Sequence, residues 1–139
     1  MAPSRREKGH SVDHGADLAG VRILIVEDEF LLAMELETLL QQRGCMVVGP
    51  VSSVGQALTV LDGEQPDIAL LDVNLKGERA TPVAAALHAR GVPFILITGY
   101  SLLQLSEPEL RDAPRIDKPV NCRLLGRAVA TALSNAPRS

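Results

Sequence analysis

The sequence predicts an α/β fold in which a doubly wound, five-stranded parallel sheet is covered by about five helices. Its 139 residues are 46% hydrophobic and 22% charged, which suits one globular core. Short β-branched apolar runs alternate along the chain with longer segments of helical periodicity. Such alternation requires right-handed crossovers between parallel strands, with helices on both faces of the sheet.

The strands are predicted where apolar residues run almost without interruption, as they do in a strand buried on both faces. The predicted strands are residues 21–26, 45–51, 67–71, 93–98 and a brief 115–117. The chain has one tyrosine, two phenylalanines and no tryptophan, so the core between these strands and the helices is expected to be aliphatic.

The helices are predicted where leucine and alanine recur at helical spacing. They are residues 29–43, 53–61, 81–90 and 121–133. Gly44 stands where the first helix should end, and Ser53 is a suitable N-cap for the second. Residues 101–114 are predicted to form a short fourth helix or a mobile loop, because Pro108 and Pro114 limit the length of any helix there.

The domain itself is predicted to span residues 21–135. Residues 1–20 are polar and rich in Gly, Ser and His, as expected of a disordered leader, and residues 136–139 form a tail. The sequence contains neither a signal-peptide pattern nor an apolar window long enough to cross a bilayer. A soluble, cytoplasmic protein is therefore expected.

Charge and cysteine content argue against nucleic-acid binding, a zinc site and a disulfide framework. The net charge is -3, and the one basic cluster, Arg5, Arg6 and Lys8, is too small to follow a nucleic-acid backbone. Cys45 and Cys122 lie far apart and outside any metal-binding spacing. We therefore expect no direct contact with nucleic acid, no zinc site and no disulfide framework.

Acidic, hydroxyl and ammonium side chains stand at the carboxyl ends of four predicted strands. These residues are Glu27, Asp28, Asp72, Thr98 and Lys118. In open α/β sheets the ligand site lies beyond these strand ends, near the point where the strand order reverses. We therefore expect three carboxylates, one hydroxyl and one ammonium to converge at one edge of the sheet.

The three acids indicate a site for a divalent cation. Carboxylates that lie a few ångströms apart raise one another's pKa unless a cation compensates their charge. Magnesium prefers oxygen ligands and commonly binds one or two carboxylates together with phosphate oxygens. Mg²⁺ is therefore the predicted cofactor, with Glu27 and Asp28 as its expected ligands.

Asp72 is the predicted phosphoryl acceptor. A carboxylate can attack phosphorus and form an aspartyl phosphate while a metal ion, a lysine and a hydroxyl neutralise the phosphoryl oxygens. Asp72 is an unpaired acid directly after a buried strand, and a flexible loop with Lys76 and Gly77 is expected to follow it. A strand-end Asp by itself is more often a loop cap, and its four companions favour the phosphoryl-transfer interpretation.

Four segments of the chain resemble the receiver domains of bacterial two-component response regulators. They are Ile-Val-Glu-Asp-Glu at residues 25–29, Leu-Leu-Asp-Val-Asn at 70–74, Thr98, and Asp-Lys-Pro at 117–119. The resemblance spans residues 21 to about 135 and implies a flavodoxin-like sheet. It also implies that Asp72 receives its phosphoryl group from a histidine kinase.

The resemblance implies a role for each residue of the cation site. Asp28, Asp72 and the backbone carbonyl of Asn74 would bind Mg²⁺, and Glu27 would contact the ion through water. Glu27 is itself a departure, since aspartate is commoner at this position in the family.

The resemblance extends to the residues that would contact the phosphoryl group, which are Thr98 and Lys118. It also implies that the peptide between Lys118 and Pro119 is cis, a state that is accessible mainly before proline.

The residues that would report phosphorylation depart from the family pattern. Arg115 stands three residues before the lysine, where the family usually has a switch Tyr or Phe. Residues 94–100, Phe-Ile-Leu-Ile-Thr-Gly-Tyr, resemble instead a subfamily with a Phe-Ala-Thr-Gly-x-Tyr signature, although Ile97 replaces its alanine. Members of that subfamily are often stand-alone receivers. Tyr100 is therefore the predicted switch residue, and a tyrosine packed against the sheet edge is the alternative.

The resemblance implies a single-domain response regulator that acts through other proteins, because the chain ends near Ser139, about where the fifth helix should finish. Its partners would be a histidine kinase and either a histidine phosphotransfer protein or a downstream target. It could also drain phosphate from a shared kinase. A monomer or weak dimer that contacts neither nucleic acid nor membranes is expected.

The first helix carries residues with two possible roles. Phe30, Ala33 and Glu37 could contact a kinase, as this helix does in the family, or could be ordinary helix residues. Glu29, Glu35 and Glu37 are otherwise assigned to the solvent-exposed face of this helix.

Two other functions stay open on sequence grounds. One is a phosphatase or phosphotransferase of the haloacid dehalogenase type, which also uses an aspartyl nucleophile. Its DxD motif normally follows the first strand, whereas Asp72 follows the third predicted strand. The other is a pseudo-receiver that binds partners without being phosphorylated, which the complete set of acids, threonine and lysine makes less favourable.

Overall fold

The five predicted strands form, each within one or two residues of its expected bounds. A computed structural model describes residues 18–99, 105 and 107–135. The strands are β1 (Arg22–Val26), β2 (Met46–Val51), β3 (Ile68–Asp72), β4 (Asn74–Leu75), β5 (Glu78–Arg79), β6 (Phe94–Thr98) and β7 (Arg115–Asp117). The helices are α1 (Phe30–Gln42), α2 (Val54–Gly63), α3 (Thr81–Ala89), α4 (Pro108–Arg111) and α5 (Cys122–Asn135).

The main sheet is parallel throughout and has the strand order β2-β1-β3-β6-β7. The order reverses between β1 and β3, which makes the carboxyl ends of these two strands the expected location of a ligand site. The five parallel strands and five helices of the described residues confirm the predicted doubly wound, flavodoxin-like fold.

Two aliphatic cores lie on opposite faces of this sheet. One is formed with α2, α3 and α4, and the other with α1 and α5. In β3, Ala69 and Leu71 belong to the first core, whereas Ile68 and Leu70 belong to the second. All four are buried, which explains why the sequence of this strand is a continuous apolar run and not an alternation of apolar and polar residues.

The predicted helix ends are found at two positions. The Ser53 side chain accepts a hydrogen bond from the Gln56 amide at 3.1 Å and so caps α2. Gly44 follows α1 with φ of +93°, and a Cβ at this position would lie 2.8 Å from the Ala19 Cα. Gly44 is therefore required both by its left-handed backbone and by the close approach of the preceding segment.

The packed part of the chain extends N-terminally beyond the expected boundary at residue 20. Leu18 is 1% exposed and belongs to the core beneath α1 and α5. Its amide donates to the Arg43 carbonyl at 3.3 Å, and the Gly20 amide donates to the Gly44 carbonyl at 2.8 Å. These contacts fix residues 18–20 against the end of α1.

An antiparallel hairpin, β4–β5, follows Asp72 where a flexible loop was expected. Its two turn residues, Lys76 and Gly77, have φ of 53° and 84°. A type I′ turn requires positive φ at both central positions, and glycine is the favoured residue at the second. The Ala80 amide donates to the Val73 carbonyl at 2.8 Å and closes the base of the hairpin. The expectation of a flexible loop is therefore wrong.

In the described part of the ambiguous segment before the last strand, a short helix, α4, begins at Pro108. Proline suits the first turn of a helix because its missing amide has no partner there in any case. Leu110 of α4 is buried in the core beneath α2 and α3. Tyr100, the predicted switch residue, lies outside the described residues. Across the described ranges, none of the helices has both the length and the apolar character that a membrane span requires.

Candidate functional site

Strand pairing brings the predicted site residues to one edge of the sheet. Asp72, the last residue of β3, pairs with Ile97, and Thr98 follows as the last residue of β6. Thr98 is buried and pairs with Asp117 of β7, and its carbonyl accepts a hydrogen bond from the Lys118 amide at 3.0 Å. Asp72, Thr98 and Lys118 therefore reach the same edge, as the sequence predicted.

Three carboxylates meet at this edge. Glu27, Asp28 and Asp72 each place one oxygen within 4.8 Å of the other two. Glu27 is 2% and Asp72 5% exposed, whereas Asp28 is half-buried. The proximity follows from the strand register. Val26 of β1 pairs with Leu71 of β3, and the residues that follow them are Glu27 and Asp72.

The ammonium of Lys118 compensates part of this negative charge. Its Nζ lies 3.3 Å from Asp72 Oδ2 and 3.7 Å from Glu27 Oε2. Its shortest contact, 3.0 Å, is to Oε1 of Glu29. The assignment of Glu29 to the solvent-exposed helix face alone is therefore wrong. The sequence could have indicated that Glu29 lies near the site, because it directly follows the acid pair and precedes the helix.

Backbone amides of the hairpin also bind the acids. The Asn74 amide donates to Asp72 Oδ1 at 3.3 Å, and the Lys76 amide donates to Asp28 Oδ2 at 2.8 Å. The left-handed conformation of Lys76 places its amide within reach of Asp28, on a segment 48 residues away in sequence. The hairpin therefore positions two of the three carboxylates.

Burial makes the ionised state of two acids costly. It raises the pKa of Glu27 to about 8, and the neighbouring Asp72 adds to this effect. Burial also raises the pKa of Asp72, although Glu27 and Lys118 act against the rise. Burial lowers the pKa of Lys118, but the hydrogen bond to Glu29 and the charges of Asp72 and Glu27 outweigh it, so this pKa is raised.

The donor set fits a hard divalent cation. Glu27 Oε1 is buried and has no hydrogen-bond partner among the described residues. The cluster offers only oxygen atoms, which is the preference of Mg²⁺, and its residual negative charge calls for a cation. The peptide between Lys118 and Pro119 is cis, as predicted.

Two further sequence-based expectations concern residues around the site. Arg115 is the first residue of β7, and its Nε lies 3.5 Å from Asp117 Oδ1.

On α1, Phe30 is 72% exposed and available to a partner, but Ala33 is buried against the sheet. The suggestion that Ala33 contacts a kinase is therefore wrong, because the helix turns this residue toward the core.

The sequence matches the family described as the response regulator receiver domain over residues 23–125. Among solved structures it resembles SdrG from Sphingomonas melonis Fr1 with 43% identity and a TM-score of 0.67, over 83% of this chain and 94% of that one. SdrG has also been solved in a BeF3-activated conformation. PhyR from Brucella abortus is 30% identical with a TM-score of 0.73, over 84% of this chain and 49% of that one.

Curated relatives are longer than this chain. The positive alginate biosynthesis regulatory protein of Pseudomonas aeruginosa is 34% identical over 116 residues, which cover 81% of this chain and 47% of that protein. The chain thus spans about half the length of the curated relatives it matches. The similarity to them concerns one domain.

Proposed function

Because the chain belongs to the response regulator receiver domain family, we propose that it is a phosphorylatable signalling domain whose acceptor is the Asp72 carboxylate. One observation carries the proposal. Asp72 ends the central strand, is 5% exposed, and has the Lys118 ammonium 3.3 Å from Oδ2 and two further carboxylates beside it. The proposed nucleophile thus lies beside a cationic donor and within an acidic cluster that suits a cation.

The cation in this proposal is Mg²⁺. Glu27, Asp28 and Asp72 would hold it, with the backbone carbonyl of Asn74 as a further ligand, and Glu27 would act through water. When bound, the ion would supply positive charge to the oxygens of an incoming phosphoryl group. The oxygen-only donor set and the unpaired Glu27 Oε1 support this choice.

Phosphoryl transfer needs little covalent chemistry from the other residues. A carboxylate oxygen of Asp72 forms a bond to phosphorus as the bond to the imidazole nitrogen of a phosphohistidine donor breaks, and that nitrogen keeps the electron pair. The Lys118 ammonium and the Thr98 hydroxyl would donate hydrogen bonds to the phosphoryl oxygens. The raised pKa of Lys118 keeps its ammonium charged at neutral pH.

The phosphoryl donor in this proposal is a histidine kinase that docks on the start of α1. Three large apolar side chains are exposed there, at Phe30, Leu31 and Met34. They follow the acid pair with Glu29 between, at the start of a helix that begins beside the site, which suits a partner that must reach Asp72. An exposed apolar patch beside a reactive group is typical of a protein contact.

The output in this proposal is a contact with another protein, or a relay of phosphate to a histidine phosphotransfer protein. One PhyR relative, from Bartonella quintana, is described as an anti-anti-sigma factor, which is consistent with signalling through protein contacts. A cytoplasmic location suits both the kinase and the target. Tyr100 is proposed as the residue that reports phosphorylation, since Arg115 occupies the usual aromatic position.

Beryllofluoride, a mimic of an aspartyl phosphate, tests the proposal. With Mg²⁺ present, it should shift the backbone amide signals of residues 72–80 in the wild-type protein, and Asp72→Asn should abolish the shift. Identical spectra with and without beryllofluoride in the wild type would oppose the proposal. Repeated turnover of a small phosphoester would favour a phosphatase instead.

A further inference from the structure

The carboxylate of Glu29 lies at the mouth of the site, although its place in the chain is that of a helix cap. Glu29 is the N-cap residue of α1. Its side chain makes no capping hydrogen bond to the described residues of this helix. Good N-caps are the shorter Ser, Thr, Asp and Asn, whose oxygens reach the first free amides of a helix. The Glu29 carboxylate is therefore available to another partner.

That partner is the ammonium of Lys118, on a segment 89 residues away in sequence. The 3.0 Å contact is the shortest of the three that Lys118 makes with carboxylates of the described residues. The backbone amide of Glu29 also donates to Glu27 Oε2 at 3.0 Å. One residue thus binds the ammonium with its side chain and a buried acid with its backbone.

We propose that Glu29 is the positioning residue for Lys118. Its carboxylate draws the ammonium toward the rim of the pocket. The ammonium, which also lies 3.3 Å from Asp72 Oδ2 and 3.7 Å from Glu27 Oε2, then competes less strongly with the cation for these buried oxygens. An arriving phosphoryl group then replaces Glu29 as the partner of Lys118. The inference rests on the proposed function, because the cation site belongs to it.

The physical basis is a competition between two cations for the same oxygens. Glu29 is 60% exposed, whereas the side chains of Asp72 and Glu27 are 7% and 1% exposed. Without the Glu29 carboxylate, the two buried acids are the remaining carboxylate partners of the ammonium among the described residues, and its contacts with them should shorten. Charges in a buried site are screened weakly, so this inward ammonium would oppose Mg²⁺.

The test is a titration with MgCl₂ alone, followed by NMR through the backbone amides of residues 27, 28 and 74. Glu29→Gln should weaken Mg²⁺ binding about three- to fivefold, the effect expected of one partly exposed charge contact. Glu35→Gln is the matched control. It removes the same charge from the same helix about 9 Å farther along its axis, slightly more than the screening length of about 8 Å at 0.15 M ionic strength, so binding at that salt concentration should change less than about 1.5-fold.

Glu29→Asp separates the contact from the charge. Aspartate keeps the charge but is one methylene too short to reach Lys118, and it is a good N-cap. This variant should therefore bind Mg²⁺ as weakly as Glu29→Gln while its Tm rises. A residue that only stabilised the helix would not weaken ion binding while raising the Tm.

Three results would overturn the inference: equal Mg²⁺ affinity in wild type and Glu29→Gln, wild-type affinity in Glu29→Asp, or an equal loss in Glu35→Gln. In each of these cases the wild type still binds the ion, and the proposed function stands. A wild type that binds no Mg²⁺ and accepts no phosphoryl group at Asp72 would overturn the proposed function, and this inference with it.

Discussion

Arg79 donates from its Nε to Glu107 Oε2 at 3.0 Å and thereby joins the hairpin after Asp72 to the start of α4. The two side chains are 37% and 25% exposed. Within the hairpin, Arg79 pairs with Asn74, whose amide donates to Asp72 Oδ1. The ion pair therefore connects α4 to the segment that positions the proposed acceptor.

Removal of either partner of this ion pair should destabilise the protein. In a double-mutant cycle with Arg79→Gln and Glu107→Gln, we expect a coupling energy of about 0.5–1.5 kcal/mol, because the pair is only partly screened by solvent. Urea unfolding of the four proteins gives this value. The same cycle on the exposed pair of Arg111 and Asp112 should give a smaller coupling. A coupling of zero between Arg79 and Glu107 would show that the contact contributes nothing.

The stability of the metal-free protein should fall as the pH rises from about 4.5 to about 8. Glu27 has a pKa of about 8 in the folded protein against an ordinary value of 4.5, so the folded state holds its proton more tightly than the unfolded state. Its contribution is fully present below pH 4.5 and is lost as the pH rises through 8. The slope for one such group is at most about 1.4 kcal/mol per pH unit.

Magnesium should reverse this trend, because it binds deprotonated carboxylates. The Tm gain on adding MgCl₂ should therefore be larger at pH 8 than at pH 5. In metal-free buffer, Glu27→Gln should remove most of the fall in stability that the wild type shows between about pH 4.5 and pH 8. Parallel pH profiles for wild type and Glu27→Gln would contradict the raised pKa.

The exposed apolar residues of α1 should matter for protein donors and not for small ones. Leu31→Ser should slow phosphoryl transfer from a histidine kinase domain that labels the wild type, by up to about tenfold if Leu31 is central to the contact. Labelling by acetyl phosphate should be unchanged, because Leu31 is 80% exposed and its loss disturbs no core. Met46→Ser, at an exposed methionine on β2, is the control. Equal rates of phosphoryl transfer from the kinase to the wild type, Leu31→Ser and Met46→Ser would contradict docking on α1.

The fold and the acidic cluster could be predicted from sequence because both depend on local patterns. Buried parallel strands appear as apolar runs, and the carboxyl ends of parallel strands share one edge of the sheet. The positions of Asp72, Asp28 and Lys118 follow from these two facts without any knowledge of side-chain packing.

The remaining features depend on contacts that no local pattern encodes. The β4–β5 hairpin has two-residue strands, too short to show a period, and its turn places Lys76 in a conformation that lysine rarely adopts. The Glu29–Lys118 contact joins residues far apart in the chain. The burial of Ala33 depends on the exact rotation of α1 against the sheet, which the leucine spacing defines only approximately.

The most direct test of the account is the intact mass of the protein after incubation with acetyl phosphate and MgCl₂. We predict that the wild type gains the mass of one phosphoryl group, that EDTA prevents the gain, and that Asp72→Asn shows none. Peptide mapping of the trapped adduct should place it on Asp72. A wild type that stays unmodified with Mg²⁺ present, or an Asp72→Asn variant that gains the same mass, would contradict Asp72 as the acceptor.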